Sequence, residues 1–283
     1  MDERVGVIGL GRMGRAIAER LAAQGLAVTG WTRSGASPPP GVAAAANLEG
    51  AVAASDILIL SLFDEAAVRE TLDRLALVDL AGRLLVETST IGPAVVRAAA
   101  PAIAAAGGRI IDAPVSGGPE MVAAGTIGLF VGGAPEDVAR FTPLAARLTP
   151  QIVEVGPLGA GHAAKIVNNA AMGGAWQAMI ESFRRGARLG LDLETMLRVM
   201  EDSPATAPAF RARIPKMRGE DPTVGFTVAG VIKDQTLFLA TADAMGEPLP
   251  ALQAARENFR KTADAGYADS DLAAVIPVRT ALS

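Results

Sequence analysis

The segment that most restricts the fold lies near the start, where the short β-branched run Val5-Gly6-Val7-Ile8 leads into Gly9-Leu10-Gly11-Arg12-Met13-Gly14 and then into an alanine-rich stretch ending at Gln24. A strand that turns on glycines spaced G-x-G-x-x-G and continues as a helix uses each glycine differently. Gly9 permits the tight turn, Gly11 lets backbone approach a pyrophosphate, and Gly14 lets helix and strand touch. The helix start then offers N–H donors to an anion. The spacing is weak alone, but the strand–turn–helix context predicts a dinucleotide site at Gly9, Leu10, Gly11, Arg12, Met13 and Gly14.

The same rhythm continues over the first part of the chain. Short apolar runs at Ala27–Trp31, Ile57–Ser61, Leu84–Glu87 and Arg109–Asp112 alternate with helical stretches at Met13–Gln24, Glu65–Leu75 and Pro93–Ala106. Strands at Thr126–Val131 and Gln151–Val155, with a helix at Pro135–Leu148 between them, complete the series. This alternation predicts βαβ units on a parallel sheet. Ser34–Gly41, with three consecutive prolines, is expected to be a loop. Beyond Gly156-Pro157-Leu158-Gly159-Ala160-Gly161 the strand rhythm stops, and His162–Leu189 has the length of a helix of about 40 Å. Helices are expected again at Leu193–Met200, Pro208–Arg218, Phe226–Met245 and Leu249–Asp264. The fold class is therefore α/β, an N-terminal Rossmann doubly wound sheet over 1–160 followed by an all-α C-terminal domain over 161–283.

Composition narrows the function. Half of the 283 residues are hydrophobic but only 4% are aromatic, which suits helices packed closely on a sheet. The net charge of -4 and the lack of any Lys/Arg-dense run argue against nucleic acid as a partner. Without cysteine there is no disulfide framework, thiolate nucleophile or sulfur metal site. The run Val5–Leu10 is too short for a signal peptide, and no apolar stretch reaches the ~18 residues of a membrane span, so a cytoplasmic protein without membrane partners is expected.

About twenty residues past the glycine turn, an NAD site would place an acid on the adenine ribose. This chain has Trp31-Thr32-Arg33-Ser34 there. Arg33 can stack on adenine and contact a 2′-phosphate, with Thr32 and Ser34 as further donors, so NADP(H) is expected in preference to NAD(H). Arg33 also reads as a solvated loop cation, which would remove the preference without removing the site.

Three further segments carry chemistry: Asp112-Ala113-Pro114-Val115-Ser116-Gly117-Gly118, the stretch from Gly156 through Lys165 to Asn168-Asn169, and Lys233-Asp234. With them the chain resembles the β-hydroxyacid dehydrogenase family, which includes 3-hydroxyisobutyrate dehydrogenase and glyoxylate/succinic semialdehyde reductases. The family is related to 6-phosphogluconate dehydrogenases and imine reductases. The resemblance runs nearly end to end, through Gly266-Tyr267-Ala268-Asp269-Ser270-Asp271-Leu272.

The resemblance implies that Ser116, Gly117 and Gly118 receive a substrate carboxylate, and that Lys165 is the catalytic lysine. Lys165 and Asn169 stand four apart on one helix, so both can point into a cleft between the domains. Carbonyl reduction needs a proton delivered to oxygen as hydride reaches carbon, and a desolvated ammonium can supply it. Asn169 would orient the substrate. By the same resemblance, Lys233 lies beside substrate and cofactor, Ser89 and Thr90 meet the nicotinamide half, and Leu62 and Phe63 meet the adenosine half. Phe63 departs from the proline common in relatives, and Lys233 reads equally as part of an ion pair among helices. The only histidine, His162, reads as a helix-start residue, and no metal site is expected. Val122, Met172, Trp176 and Phe210 either line the substrate pocket or fill core.

The implied activity is NADP(H)-dependent interconversion of a small carboxylate-bearing hydroxy acid and its semialdehyde or oxo acid by a homodimer or homotetramer. An imine reductase on the same fold, and a dinucleotide-binding protein without turnover, are the other readings of these residues.

Overall fold

The computed structural model describes residues 3–281. They divide into two compact units between Ile166 and Val167.

The first unit contains β1 (Val5–Ile8), α1 (Arg12–Ala23), β2 (Val28–Trp31), β3 (Ala43–Ala44), α2 (Leu48–Ala53), β4 (Ile57–Leu60), α3 (Glu65–Leu75), β5 (Leu84–Glu87) and α4 (Pro93–Ala105). It continues with β6 (Arg109–Asp112), β7 (Val115–Ser116), α5 (Pro119–Ala124), β8 (Gly128–Gly132), α6 (Pro135–Leu148), β9 (Gln151–Gly156) and the opening of α7 (Ala160–Arg188). The sheet order is β3-β2-β1-β4-β5-β6-β8-β7, with β9 paired to β8. Strands β1 to β6 are parallel, and the chain winds away from β1 in both directions. The far edge differs from the wholly parallel sheet expected, because β8 runs antiparallel to both β6 and β7. Strands buried on both faces read as unbroken apolar runs whose alternate residues serve opposite layers. Val5, Val7, Ile59, Val86 and Ile111 pack with Ile17 and Leu21 of α1, Val122 of α5 and Phe141 of α6. Ile8, Leu58, Leu60 and Leu85 pack with Val52, Val68, Leu72 and Val96 of α2, α3 and α4.

Local chemistry explains the element boundaries. Asn47 and Asp64 cap α2 and α3 by accepting from Gly50 N–H and Ala67 N–H, and prolines open α4, α5 and α6. Elements as short as β3, β7, α2 and α5 show too few residues to set a period, and none of them was expected from the sequence.

The second unit holds the rest of α7, then α8 (Leu193–Glu201), α9 (Pro208–Arg211), α10 (Ile214–Arg218), α11 (Val228–Asp243), α12 (Pro250–Thr262), a π turn (Ala263–Tyr267), a 3-10 turn (Leu272–Ala274) and α13 (Val275–Ala281). The helix expected over Pro208–Arg218 is two, because Arg213 takes φ -106° and ψ 0° between them. The helix expected from Phe226 begins at Val228, since Thr227 accepts from Gly230 N–H and fixes the start. Aromatic side chains form the centre of this unit: the Trp176 and Phe210 rings are 5.0 Å apart and Phe183 lies 5.9 Å from Phe210. Val122, Trp176 and Phe210 are all core residues. No helix among the described residues is long and apolar enough to cross a membrane.

Phe183 is 1% exposed within this aromatic group. Phe183→Ala is expected to cost about 3–5 kcal/mol of stability by leaving a cavity, read as a fall in the urea midpoint by circular dichroism.

Candidate active site

The glycine turn is built as its spacing requires. Gly9 has φ +94°, donates its N–H to Trp31 carbonyl at 2.8 Å, and leaves no room for a side chain, since a Cβ would meet Leu62 Cδ2 at 2.9 Å and the Ser61 carbonyl closer still. A Cβ at Gly14 would run into the Gly9 carbonyl oxygen, whereas one at Gly11 would meet nothing within 4 Å. Gly11 heads α1 and supplies no side-chain cap, so the first-turn N–H groups receive nothing from the capping position. Of the loop residues, Leu10 sinks into the core and Arg12 is exposed. The open space at Gly11 and the uncapped helix start fit a dinucleotide pyrophosphate.

At the end of β2, Thr32 Oγ1 and Ser34 Oγ lie 3.5 Å apart, and Arg33 Nη1 pairs with Glu70 of α3 at 2.6 Å. Both members of that pair are solvent-exposed. The ends of β4 and β5 are tied together: Leu62 N–H donates to Ser89 Oγ at 2.8 Å, Thr88 Oγ1 donates to Leu60 carbonyl at 2.7 Å, and Ser89 N–H donates to the Glu87 carboxylate at 3.0 and 3.1 Å. Thr90 is half-buried and Phe63 is 72% exposed. In the turn expected to take a carboxylate, Ser116 ends β7, Gly117 has φ +133° and Gly118 precedes α5. The Glu120 side chain lies against Gly118.

Reading the sequence missed a buried charged group at the start of α7. Asp112, fully buried at the end of β6, accepts from Gly159 N–H and His162 N–H, each at 2.7 Å. Burial pushes the Asp112 carboxyl up, while His162 and these N–H groups pull it back. His162 does sit at the helix start, but it is fully buried, with Nε2 3.2 Å from Glu87 Oε2. The overlooked signal was an acid ending each of two buried strands after an apolar stretch, Leu84–Val86 and Ile110–Ile111, at positions that turn out to be register partners, Glu87 and Asp112. One turn beyond His162, Lys165 is 7% exposed. No cluster of three or more His, Asp or Glu among the described residues can hold a metal.

In the second unit, Asn169 is 7% exposed and its Oδ1 accepts from Asn168 Nδ2 at 2.9 Å. Lys233 Nζ lies 2.9 Å from Asp234 Oδ1, as an ion pair within α11. Asn168, Met172, Trp176, Pro208 and Phe210 line an apolar pocket of about 400 Å³. Asn169 lines a smaller one with Phe226, Asp234 and Gln235.

The sequence and fold are shared with known proteins. The NAD binding domain of 6-phosphogluconate dehydrogenase matches residues 4–156, and the NAD-binding domain of NADP-dependent 3-hydroxyisobutyrate dehydrogenase matches 159–279. The chain is 30% identical to 2-(hydroxymethyl)glutarate dehydrogenase of Eubacterium barkeri, covering 97% of this chain and 94% of that one. Among solved structures, 3-hydroxyisobutyrate dehydrogenase of Mycobacterium tuberculosis with L-serine superposes with a TM-score of 0.84 at 28% identity, over 98% of this chain and 99% of that one. Psf3 in complex with NADP+ and 2-OPP superposes at 0.82 with 26% identity, over 99% and 100%.

Because the folded state raises the Asp112 pKa, the native protein holds a proton there that the unfolded chain has released. The contribution of Asp112 to stability is therefore expected to fall as pH rises from about 4 through the raised value, against the opposite slope of carboxylates whose pKa is lowered, such as Asp56 and Asp221. Urea midpoints measured across that range should lose this slope in Asp112→Asn.

Proposed function

The chain belongs to the β-hydroxyacid dehydrogenase family and is an oxidoreductase of hydroxy-acid CH–OH groups, and on that premise we propose that it interconverts a small 3-hydroxy acid, or a 2-hydroxy acid, and its semialdehyde or oxo acid with NADP(H). The observation that carries this reading is Lys165, a lysine 7% exposed beside the start of α7. A lysine can give a proton to a carbonyl oxygen as its ammonium and take one from a hydroxyl as its amine, so one side chain can serve both directions. Asn169, one turn further on, is held by Asn168 and would direct its amide to the same substrate oxygen. Ser116, with the backbone N–H groups of Gly117 and Gly118, would hold the substrate carboxylate. Lys233 is assigned beside substrate and cofactor, its charge set against Asp234.

NADP(H) would give or take the hydride at this site. Gly9–Gly14 would hold its pyrophosphate, Arg33 with Thr32 and Ser34 its 2′-phosphate, and Leu62, Phe63, Ser89 and Thr90 the flanks. The preference for the phosphorylated cofactor rests on Arg33 and on the lack of an acid at the end of β2, and the similar Psf3 structure is a complex with NADP+. Assembly as a homodimer or homotetramer belongs to the same reading, with exposed Leu189, Leu191 and Val199 on the second unit available to an interface.

Lys165→Ala is expected to lower carbonyl reduction by about 10² or more with cofactor affinity nearly intact. Unchanged turnover would remove the acid/base role. Arg33→Ala should weaken NADPH binding about tenfold or more, and much more than NADH binding, because a charge-assisted contact is worth about 1.5–3 kcal/mol. Equal weakening would remove the phosphate contact. Cofactor oxidation screened against glyoxylate and against succinic, tartronate and methylmalonate semialdehydes, with a cyclic imine as control, should single out a carboxylate-bearing aldehyde or oxo acid. An imine as the sole substrate would overturn the proposed reaction.

A further inference from the structure

Across the ends of the central parallel strands runs one row of register partners: Trp31, Ile8, Leu60, Glu87 and Asp112. Its middle members are apolar, as a two-sided core requires, and the row turns acidic only at β5 and β6. Both carboxylates are fully buried, and so is the imidazole of His162. Burying three such groups costs several kcal/mol that aliphatic side chains would not cost. Packing of the sheet therefore does not account for them. Their contacts do: Glu87 receives Ser89 N–H, Ser89 Oγ receives Leu62 N–H, and Asp112 receives Gly159 N–H and His162 N–H. His162 Nε2 stands 3.2 Å from Glu87 Oε2, at ion-pair distance but out of hydrogen-bond line. The path from the Ser89 turn to the helix of Lys165 thus runs through Glu87 and His162, with Asp112 holding the helix end.

The approach at this point is close. A Cβ on Gly161 would meet Asp112 Oδ2 at 2.8 Å, and one on Gly132 would meet Asp112 Oδ1 at 2.7 Å and Gly161 N at 2.8 Å. The first turn of α7 therefore cannot shift without moving Asp112. Lys165 follows His162 by three residues, on the same side of the helix.

We propose that Glu87, His162 and Asp112 are positioning residues, which set the Lys165 ε-amine relative to the Ser89 turn by joining the ends of β5 and β6 to the first turn of α7. The inference rests on the acid/base reading of Lys165. It predicts that loss of the His162 contact lowers turnover rather than cofactor affinity.

The test uses the full chain with NADPH and the best substrate from the screen. His162→Leu fills the volume without a polar atom, and His162→Gln returns an amide N–H near the place of Nε2. The Leu variant is expected to lose at least tenfold in kcat, with NADPH affinity within about twofold, and the Gln variant to recover to within threefold of the parent. A Leu variant with kcat within twofold of the parent, or a Gln variant as impaired as the Leu variant, overturns the proposal. Should His162→Leu not fold, Glu87→Gln decides instead: a fivefold or greater loss of kcat at unchanged NADPH affinity supports positioning, and full turnover overturns it. Competitive amine labelling of Lys165, read by mass spectrometry, is independent of turnover. Its rate should change at least threefold in His162→Leu, or in Glu87→Gln, while Lys216 and Lys261 keep theirs, and an unchanged Lys165 rate counts against the proposal. If Lys165→Ala keeps turnover, the acid/base reading fails on its own, and the labelling result still decides whether the three residues position that amine.

Discussion

The contact on which the first unit depends is the approach of Gly14 to the carbonyl of Gly9. Any side chain at Gly14 would collide with that oxygen, so only glycine lets α1 start directly over the end of β1. Once α1 is placed there, Ile17 and Leu21 reach the layer completed by Val122 and Phe141, and one face of the sheet is closed. The same approach points the uncapped first turn of α1 at the loop around Gly11, where the backbone is left open. Core closure and the anion-binding helix start are thus two results of one steric constraint.

What was legible in the sequence follows from how far each signal reaches. Parallel strands such as Ile57–Leu60 and Leu84–Glu87 announce themselves because burial on both faces demands an apolar run, and the turns after them carry glycine, serine or aspartate. The long α7 and the change to an all-helical region were visible for the same reason of length. Elements of two to six residues, such as β3 and α5, hold less than two periods of any pattern and are fixed by their neighbours. The reversed direction of β8 is a tertiary fact: Gly128–Gly132 has the composition of any buried strand, and nothing local states which way it runs.

The site divides in the same way. Gly9, Gly11 and Gly14 could be assigned from backbone geometry, because a missing side chain has few explanations at that spacing. Arg33 was found by position, yet its pairing with Glu70, some forty residues away, was not, since no local pattern links a loop cation to one carboxylate of a later helix. His162 was undervalued because one histidine among alanines has no spacing to interpret. Its meaning comes from Glu87 and Asp112, brought beside it by strands from distant parts of the chain. Such groups are a stability cost accepted where order is required, and they gather at the strand ends, where open α/β sheets bind their ligands.

The two tryptophans are divided between the two units. Trp31 closes β2, half-buried, with the Arg74 guanidinium 5.4 Å from its ring centroid. Trp176 is packed among Phe210 and Phe259 in the helical unit. Their surroundings are opposite in polarity, one ring under a cation near solvent and the other within a hydrocarbon interior. The molecule therefore carries one built-in emission reporter per unit, set at different wavelengths, and events at the strand end that bears Arg33 can be followed apart from events in the helical core without an added label.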